Sequence, residues 1–387
     1  MPLKREQLLR TALSLWVVGI FGWWAAITFV INMLDQESFR IDFVAFWAAG
    51  KLAIAGEAMS VWDPTAFEVA QGTDPDAKLV LSWFYPATFH LLVTPFGLAP
   101  FSIAFGLWTL LTIGAFWRSI AKIAPTALPL IIMSPAIFLT VKLGNNAPLF
   151  AACLAFALHN LTRPAYSGSA IAMLSLKPGL GPMIAVAMIA GGRWRIVLWI
   201  TVISLSLLVV STGLFGFQYW IAFADNLEFA VERITPDARL TGQMTSWFAL
   251  ARYLSFDPTV AMLVHLSFFF VIAFLTLLMW RSSTADPNLR AAALAISVIL
   301  SSPHAFHYEM VYALVAIGFL VRAGLGSVDR VVVALLWIGP LPGIWPIDLL
   351  PVCLFGAPML TACFFYMSWK ALRPRNVPGD HSREMAA

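Results

Sequence analysis

A few side chains in this chain have types and settings that could do chemistry. Asp42 stands in Phe39-Arg40-Ile41-Asp42-Phe43-Val44, a carboxylate between apolar neighbours. Partly desolvated there, it could act as a general base; a solvated or Arg40-paired loop acid is the structural alternative. Lys177 sits where Lys177-Pro178-Gly179 interrupts an apolar stretch. An ammonium at membrane depth is expensive and pairs with something or faces a wet cavity. Broken helices inside membranes line such cavities, so Lys177 suits an anionic group such as a phosphate; its alternative is a snorkelling lysine at a hairpin tip. Arg233 and Arg239 could neutralise a phosphate through the guanidinium fork, unless Glu232 and Asp237 already pair with them. Asn145 and Asn146 form a polar tip between apolar runs, suited to sugar hydroxyls or to simple turn chemistry. His304, His307 and Glu309 follow Ser301-Ser302-Pro303. They read as polar ligands or as interfacial anchors, and their spacing lacks a third metal ligand. Trp47, among the aromatics of the first polar stretch, could stack on a sugar or anchor at a membrane surface. His90, His159 and His265 sit on or near apolar runs and read as structural.

The elements that must carry these residues follow from composition. Of 387 residues, 60% are apolar and 11% charged, against about 25% charged in an ordinary soluble domain. Roughly 232 apolar residues correspond to about twelve spans of about 20 residues. This excludes a soluble enzyme, a nucleic-acid binder and a disordered chain, and predicts an all-α polytopic membrane protein. The net charge of +4 matters less than the side on which the charges lie. Cys153, Cys353 and Cys363 lie in apolar runs and imply no disulfide framework. Lys4, Arg5 and Arg10 precede an apolar run to Leu34 that is too long for a signal-peptide core, so it reads as an uncleaved first span.

The apolar runs fall near 11–34, 101–117, 124–141, 147–162, 196–214, 260–280, 291–303, 308–321, 331–345 and 352–369. The stretch 165–192 is read as two half-passes meeting at Lys177. Residues 35–100 form one large loop with interfacial helices, 215–258 a second loop, and 371–387 a tail, all within a single integral membrane domain 1–387. Placing the N-terminus in the cytoplasm puts most lysines and arginines in inner turns, as the positive-inside rule requires. With the tail also cytoplasmic, Asp42, Asn145, Asn146, Lys177, Arg233, Arg239, Gln243, His304, His307 and Glu309 all fall on the outer face. Residues scattered in sequence but gathered by topology are what an active site or substrate vestibule requires. The sequence has no phosphate-binding glycine-rich loop, zinc-protease motif or nucleophile elbow.

The order of motifs resembles glycosyltransferase family 87, also described as domain of unknown function 2029, within the GT-C superfamily. Asp42-Phe43-Val44-Ala45-Phe46-Trp47 resembles the family's first-loop acid with its aromatic and small residues. Gly56 and Trp62-Asp63 follow, then Trp83-Phe84-Tyr85-Pro86-Ala87, where the family has a second proline at Ala87. Gly144-Asn145-Asn146 resembles a GQN tip and Leu176-Lys177-Pro178-Gly179-Leu180-Gly181 a KPQLG hairpin. Ser302 to Glu309 resembles an element ending in DYD, with His307 and Glu309 in place of the two aspartates.

The resemblance, over roughly 40–325, implies a GT-C-like bundle of about twelve transmembrane helices in a bacterial inner membrane. It implies transfer of mannose or a related sugar from a polyprenyl-phosphate donor to a hydroxyl of a lipid or glycan acceptor, with inversion, on the extracytoplasmic face. Asp42 would be the base. Lys177, Arg233, Arg239 and His307 would face the donor phosphate. Trp47, Tyr85, Asn145, Asn146, Gln243, His304 and Glu309 would face sugar or acceptor. The single first-loop acid implies no metal and no other cofactor, and the only partners are substrates and membrane lipids, without nucleic acid. A transporter or flippase of a lipid-linked substrate, and a non-catalytic membrane assembly protein, stay open as alternatives. The one-sided polar cluster and the nearly charge-free spans argue against the transporter.

Overall fold

The computed structural model describes residues 42–72, 81–234, 241–343 and 351–373, with side chains through 226 in the second segment and through 342 in the third. The expected first span, Arg239, the side chain of Arg233 and the tail from 374 lie outside the described residues. Among the described residues the secondary structure is helical, with one isolated bridge between Met244 and Phe306.

The helices in chain order are α1 (Asp42–Ile54), α2 (Pro64–Gln71), α3 (Ala87–Val93), α4 (Phe101–Ile123), α5 (Leu128–Ile132) and α6 (Pro135–Leu143). Next come α7 (Ala147–His159), α8 (Pro164–Ala172), α9 (Gly181–Ala190), α10 (Trp194–Phe215) and α11 (Gln218–Ile234). The last are α12 (Trp247–Tyr253), α13 (Pro258–Arg281), α14 (Pro287–Ser301), α15 (Val311–Ala323), α16 (Ser327–Ile338) and α17 (Cys353–Leu372). Local chemistry sets four of the starts. Asp63-Pro64, Ser134-Pro135, Asp257-Pro258 and Asp286-Pro287 each place a side-chain oxygen on free backbone N–H groups and a proline at the first helical position. The cap satisfies orphan donors, and proline there loses no hydrogen bond.

Burial sorts the helices into layers. Every residue of α14 from Ala291 to Ser301 and every residue of α15 from Val311 to Leu320 is buried, so this pair is the centre of the bundle. By contrast, the most apolar stretches of α10 and α13 are only 11% and 22% buried. Long helices that are apolar yet unburied in the protein have the character of a lipid-facing wall.

The described residues give a smaller number of long spans than the expected total of about twelve, short and broken ones included. Among the described residues α4, α10 and α13 are individually long and apolar enough to cross a membrane. The predicted single pass over 124–141 is two pieces, one containing α5 and the other α6, bent by 61° at Ser134-Pro135. A proline that follows a cap residue starts a new helix instead of continuing the old one. Four more apolar helices have only 10 to 17 residues; about twelve transmembrane helices, some short or broken, were expected, and helix length among the described residues does not fix that number. The expected loop 215–258 contains two helices, α11 and α12.

Several close contacts hold α1 in place. Its Gly50 lies against Gly97, where an added Cβ would be 2.3 Å from the Gly50 carbonyl carbon. A buried relay then ties α1 to α3 and α11. His90 Nε2 lies 2.7 Å from the Ala49 carbonyl and Nδ1 lies 2.9 Å from the Tyr219 hydroxyl, which accepts from Trp83 Nε1 at 2.8 Å. A carbonyl can only accept, so Nε2 carries the hydrogen, and Tyr219 donates to Nδ1. Every polar atom of the relay is then satisfied in one tautomer, the structural role expected of His90.

Candidate active site

Asp42 begins α1, and its neighbour Phe43 is locked in an aromatic cluster. The Phe43 ring centroid lies 5.6 to 6.4 Å from those of Phe46, Phe96, Phe101, Phe105 and Trp108. Gly144 caps α6 in the left-handed conformation, φ +63°, and packs directly on that cluster. A Cβ added to Gly144 would lie 2.6 Å from the Phe43 Cβ and 2.7 Å from the Phe105 ring. This close approach brings Asn145 to Asp42. Gly144→Ala is therefore expected to cost about 2–4 kcal/mol, from left-handed strain plus overpacking, read as a lower melting temperature in detergent.

The next two residues each hold a group of the site. Asn145 donates from Nδ2 to Asp42 Oδ2, and its Oδ1 accepts from the Ala147 backbone N–H at 2.7 Å. Asn146 donates from Nδ2 to the Tyr85 hydroxyl at 2.9 Å. Both asparagines are buried, whereas Asp42 and Tyr85 are half-buried. Burial pushes the Asp42 carboxyl above its ordinary range; the Asn145 hydrogen bond and the Lys177 charge pull it back in part. Burial first and the Asp42 charge second push the Tyr85 phenol up, so it stays protonated.

Lys177 arrives from a different direction. Short 3-10 turns end at Leu176 and restart at Pro178, and Lys177 lies between them with φ −130° and ψ 83°. This is the helix interruption read from the sequence. The break rests on the end of α14, where Ser301 Oγ reaches the Gly179 carbonyl. There Lys177 Nζ forms an ion pair with Glu309. The Glu309 side chain is 3% exposed and that of Lys177 22%, so the ammonium is the accessible partner.

A second segment pins the one that bears Glu309. Thr245 N–H donates to the Ala305 carbonyl at 2.7 Å and His307 N–H to the Gln243 carbonyl at 2.8 Å. This short antiparallel pairing sets the register from Pro303 to Glu309. Tyr308 stacks on Phe306 at 5.4 Å, with the Lys177 ammonium 5.8 Å from its ring centre. Tyr308 also lies near the Asn145 amide and within the field of Asp42.

The structure thus brings Asp42, Tyr85, Asn145, Asn146, Lys177 and Glu309 together, from segments far apart in the chain. It assigns some of them different work from that expected. Asn145, Asn146 and Glu309 form a buried layer that holds Asp42, Tyr85 and Lys177; they were expected to face sugar or acceptor. His307 is not the cation expected for the donor phosphate. Burial lowers its pKa to about 4, against the pull of the Gln243 carbonyl, so the imidazole is neutral near pH 7. Gln243 contributes that carbonyl, 3.1 Å from His307 Nδ1. His304 packs against Phe248, and burial, with the neighbouring His265, lowers its pKa to about 4 as well. Trp47 spends its indole N–H on the Ala99 carbonyl at 3.0 Å and packs edge-on to Phe101. Tyr308 has no charge to draw notice in the sequence; only its position in the His304–Glu309 cluster pointed to it.

This is a helical protein with membrane-crossing helices and a site that sets a half-buried carboxylate within the field of an accessible ammonium. The family model of glycosyltransferase family 87 matches residues 83–303, more than half of the chain, and the chain belongs to that family. It is therefore a glycosyltransferase. The matched residues include Tyr85, Asn145, Asn146 and Lys177, whereas Asp42, Tyr308 and Glu309 lie outside them. No curated protein and no solved structure gives a match.

Proposed function

We propose that this glycosyltransferase moves a sugar, mannose or a related one, from a polyprenyl-phosphate donor to an acceptor hydroxyl on the extracytoplasmic face of a bacterial inner membrane. The observation that carries the reading is the setting of Asp42 within the field of Lys177, both half-buried. Asp42 takes the proton of the acceptor hydroxyl as its oxygen bonds to the anomeric carbon from the face opposite the phosphate. The bond from that carbon to the phosphate oxygen breaks, and its electron pair leaves with the polyprenyl phosphate. Lys177 stabilises that growing negative charge, strongly so because the site is partly closed to water. Arg233 and Arg239 are kept as further phosphate contacts. The countercharge in this reading comes from side chains, with no metal ion required.

The test is turnover by the purified full-length protein in lipid nanodiscs with a radiolabelled polyprenyl-phosphate hexose and a glycolipid acceptor. The expected result is labelled acceptor, undiminished by EDTA, and none from nucleotide sugars. Transfer from a nucleotide sugar but not from the lipid-linked one overturns the donor assignment. Movement of the lipid-linked sugar across vesicles without transfer favours a flippase.

A further inference from the structure

Beside Asn145 stands one residue more, Tyr308. The Asn145 Oδ1 is held by the Ala147 backbone N–H, which can only donate. The amide orientation is therefore determined, and the NH2 group faces the site. One of its hydrogens goes to Asp42, and the Tyr308 side chain lies near the same amide. An NH2 group cannot accept, so the Tyr308 O–H hydrogen is left to donate elsewhere. The ring is placed by Phe306 on which it stacks and by the Lys177 ammonium beside it. Tyr308 is half-buried, like Asp42, Tyr85 and Lys177, whereas Asn145 and Glu309 behind them are buried.

We propose that Tyr308 is a substrate-contacting residue whose hydroxyl donates a hydrogen bond to an oxygen of the sugar–phosphate donor. The proposal rests on the lipid-phosphate reading above and extends it to a residue with no charge. The ligand chemistry is an oxygen acceptor, either a phosphate oxygen or a sugar hydroxyl. Lys177 beside the ring favours the phosphate.

Tyr308→Phe removes the donor and keeps the ring on Phe306. In full-length protein in nanodiscs, its affinity for the polyprenyl-phosphate hexose is expected to fall about tenfold, the effect of one such hydrogen bond. Binding of sugar-free polyprenyl phosphate separates the two sources. An equal loss assigns the contact to the phosphate, and a loss confined to the sugar-bearing lipid assigns it to a sugar hydroxyl. Wild-type affinity for both, with unchanged donor KM, overturns the assignment of Tyr308 while leaving the lipid-phosphate reading standing. Failure of the wild-type protein to bind either lipid overturns both. Should the Phe variant melt early, 3-fluorotyrosine at position 308 keeps the hydroxyl. Its fluorine resonance is expected to shift on adding polyprenyl phosphate or the sugar-bearing lipid, and a resonance unmoved by both overturns the proposal.

Discussion

Asp42→Asn lowers kcat for sugar transfer by about 10²–10⁴-fold, the range of a lost general base, with donor binding near that of the wild type. The amide keeps the size and shape of the carboxyl, so the Phe43 cluster and Gly144 contact survive, and with them the fold. Loss of turnover with retained binding separates chemistry from assembly, and full activity of the variant removes Asp42 from the base role. The pH profile carries the same prediction in the wild-type protein. A base works in its ionised form, so kcat rises with pH through the Asp42 pKa. Burial raises that pKa, so the acid limb lies above the ordinary carboxylate range. The Asn145 hydrogen bond stabilises the ionised form and lowers it. Asn145→Leu therefore moves the acid limb to higher pH. A limb that stays in place means that another group is titrating.

The second large effect concerns the ion pair. Lys177→Met is expected to cut transfer by at least about a hundredfold, the scale of losing one group that stabilises developing charge. It also strands the carboxylate of Glu309, whose side chain is 3% exposed. Breaking a buried pair from one side costs about 3–5 kcal/mol, so the variant melts early. Glu309→Gln leaves an ammonium that is 22% exposed and can be solvated, and it melts closer to the wild type. The double variant Lys177→Met, Glu309→Met replaces both charges by apolar groups and is expected to recover most of the lost stability. It does not recover transfer, because the countercharge for the departing phosphate is still missing. Melting temperature and turnover, measured on the same three proteins, therefore diverge. A double variant that regains activity along with stability makes the pair purely structural.

Much of the helix framework was legible because its signals are local. The pairs Asp63-Pro64, Asp257-Pro258 and Asp286-Pro287 each cap a helix, and Pro178-Gly179 interrupts one for a local backbone reason too. The bend at Ser134-Pro135 uses this chemistry too, yet the surrounding apolar run hid it. Pass number was less legible: composition counts apolar residues without distinguishing long lipid-facing helices such as α10 from short ones such as α14, buried from Ala291 to Ser301.

By itself, then, the sequence determined a helical membrane protein, the helix interruption at Lys177, and the few polar residues worth watching. Those follow from hydrophobic content, capping and proline geometry, which act over a few residues. Only the tertiary structure decided which groups each of these polar residues meets. Asn145 meets Asp42 across 103 positions and Glu309 meets Lys177 across 132. The neutrality of His307 and the orientation of Tyr308 depend on neighbours brought in by other segments. Hydrogen-bond partners and desolvation are properties of packing, and packing assembles groups that no local pattern connects.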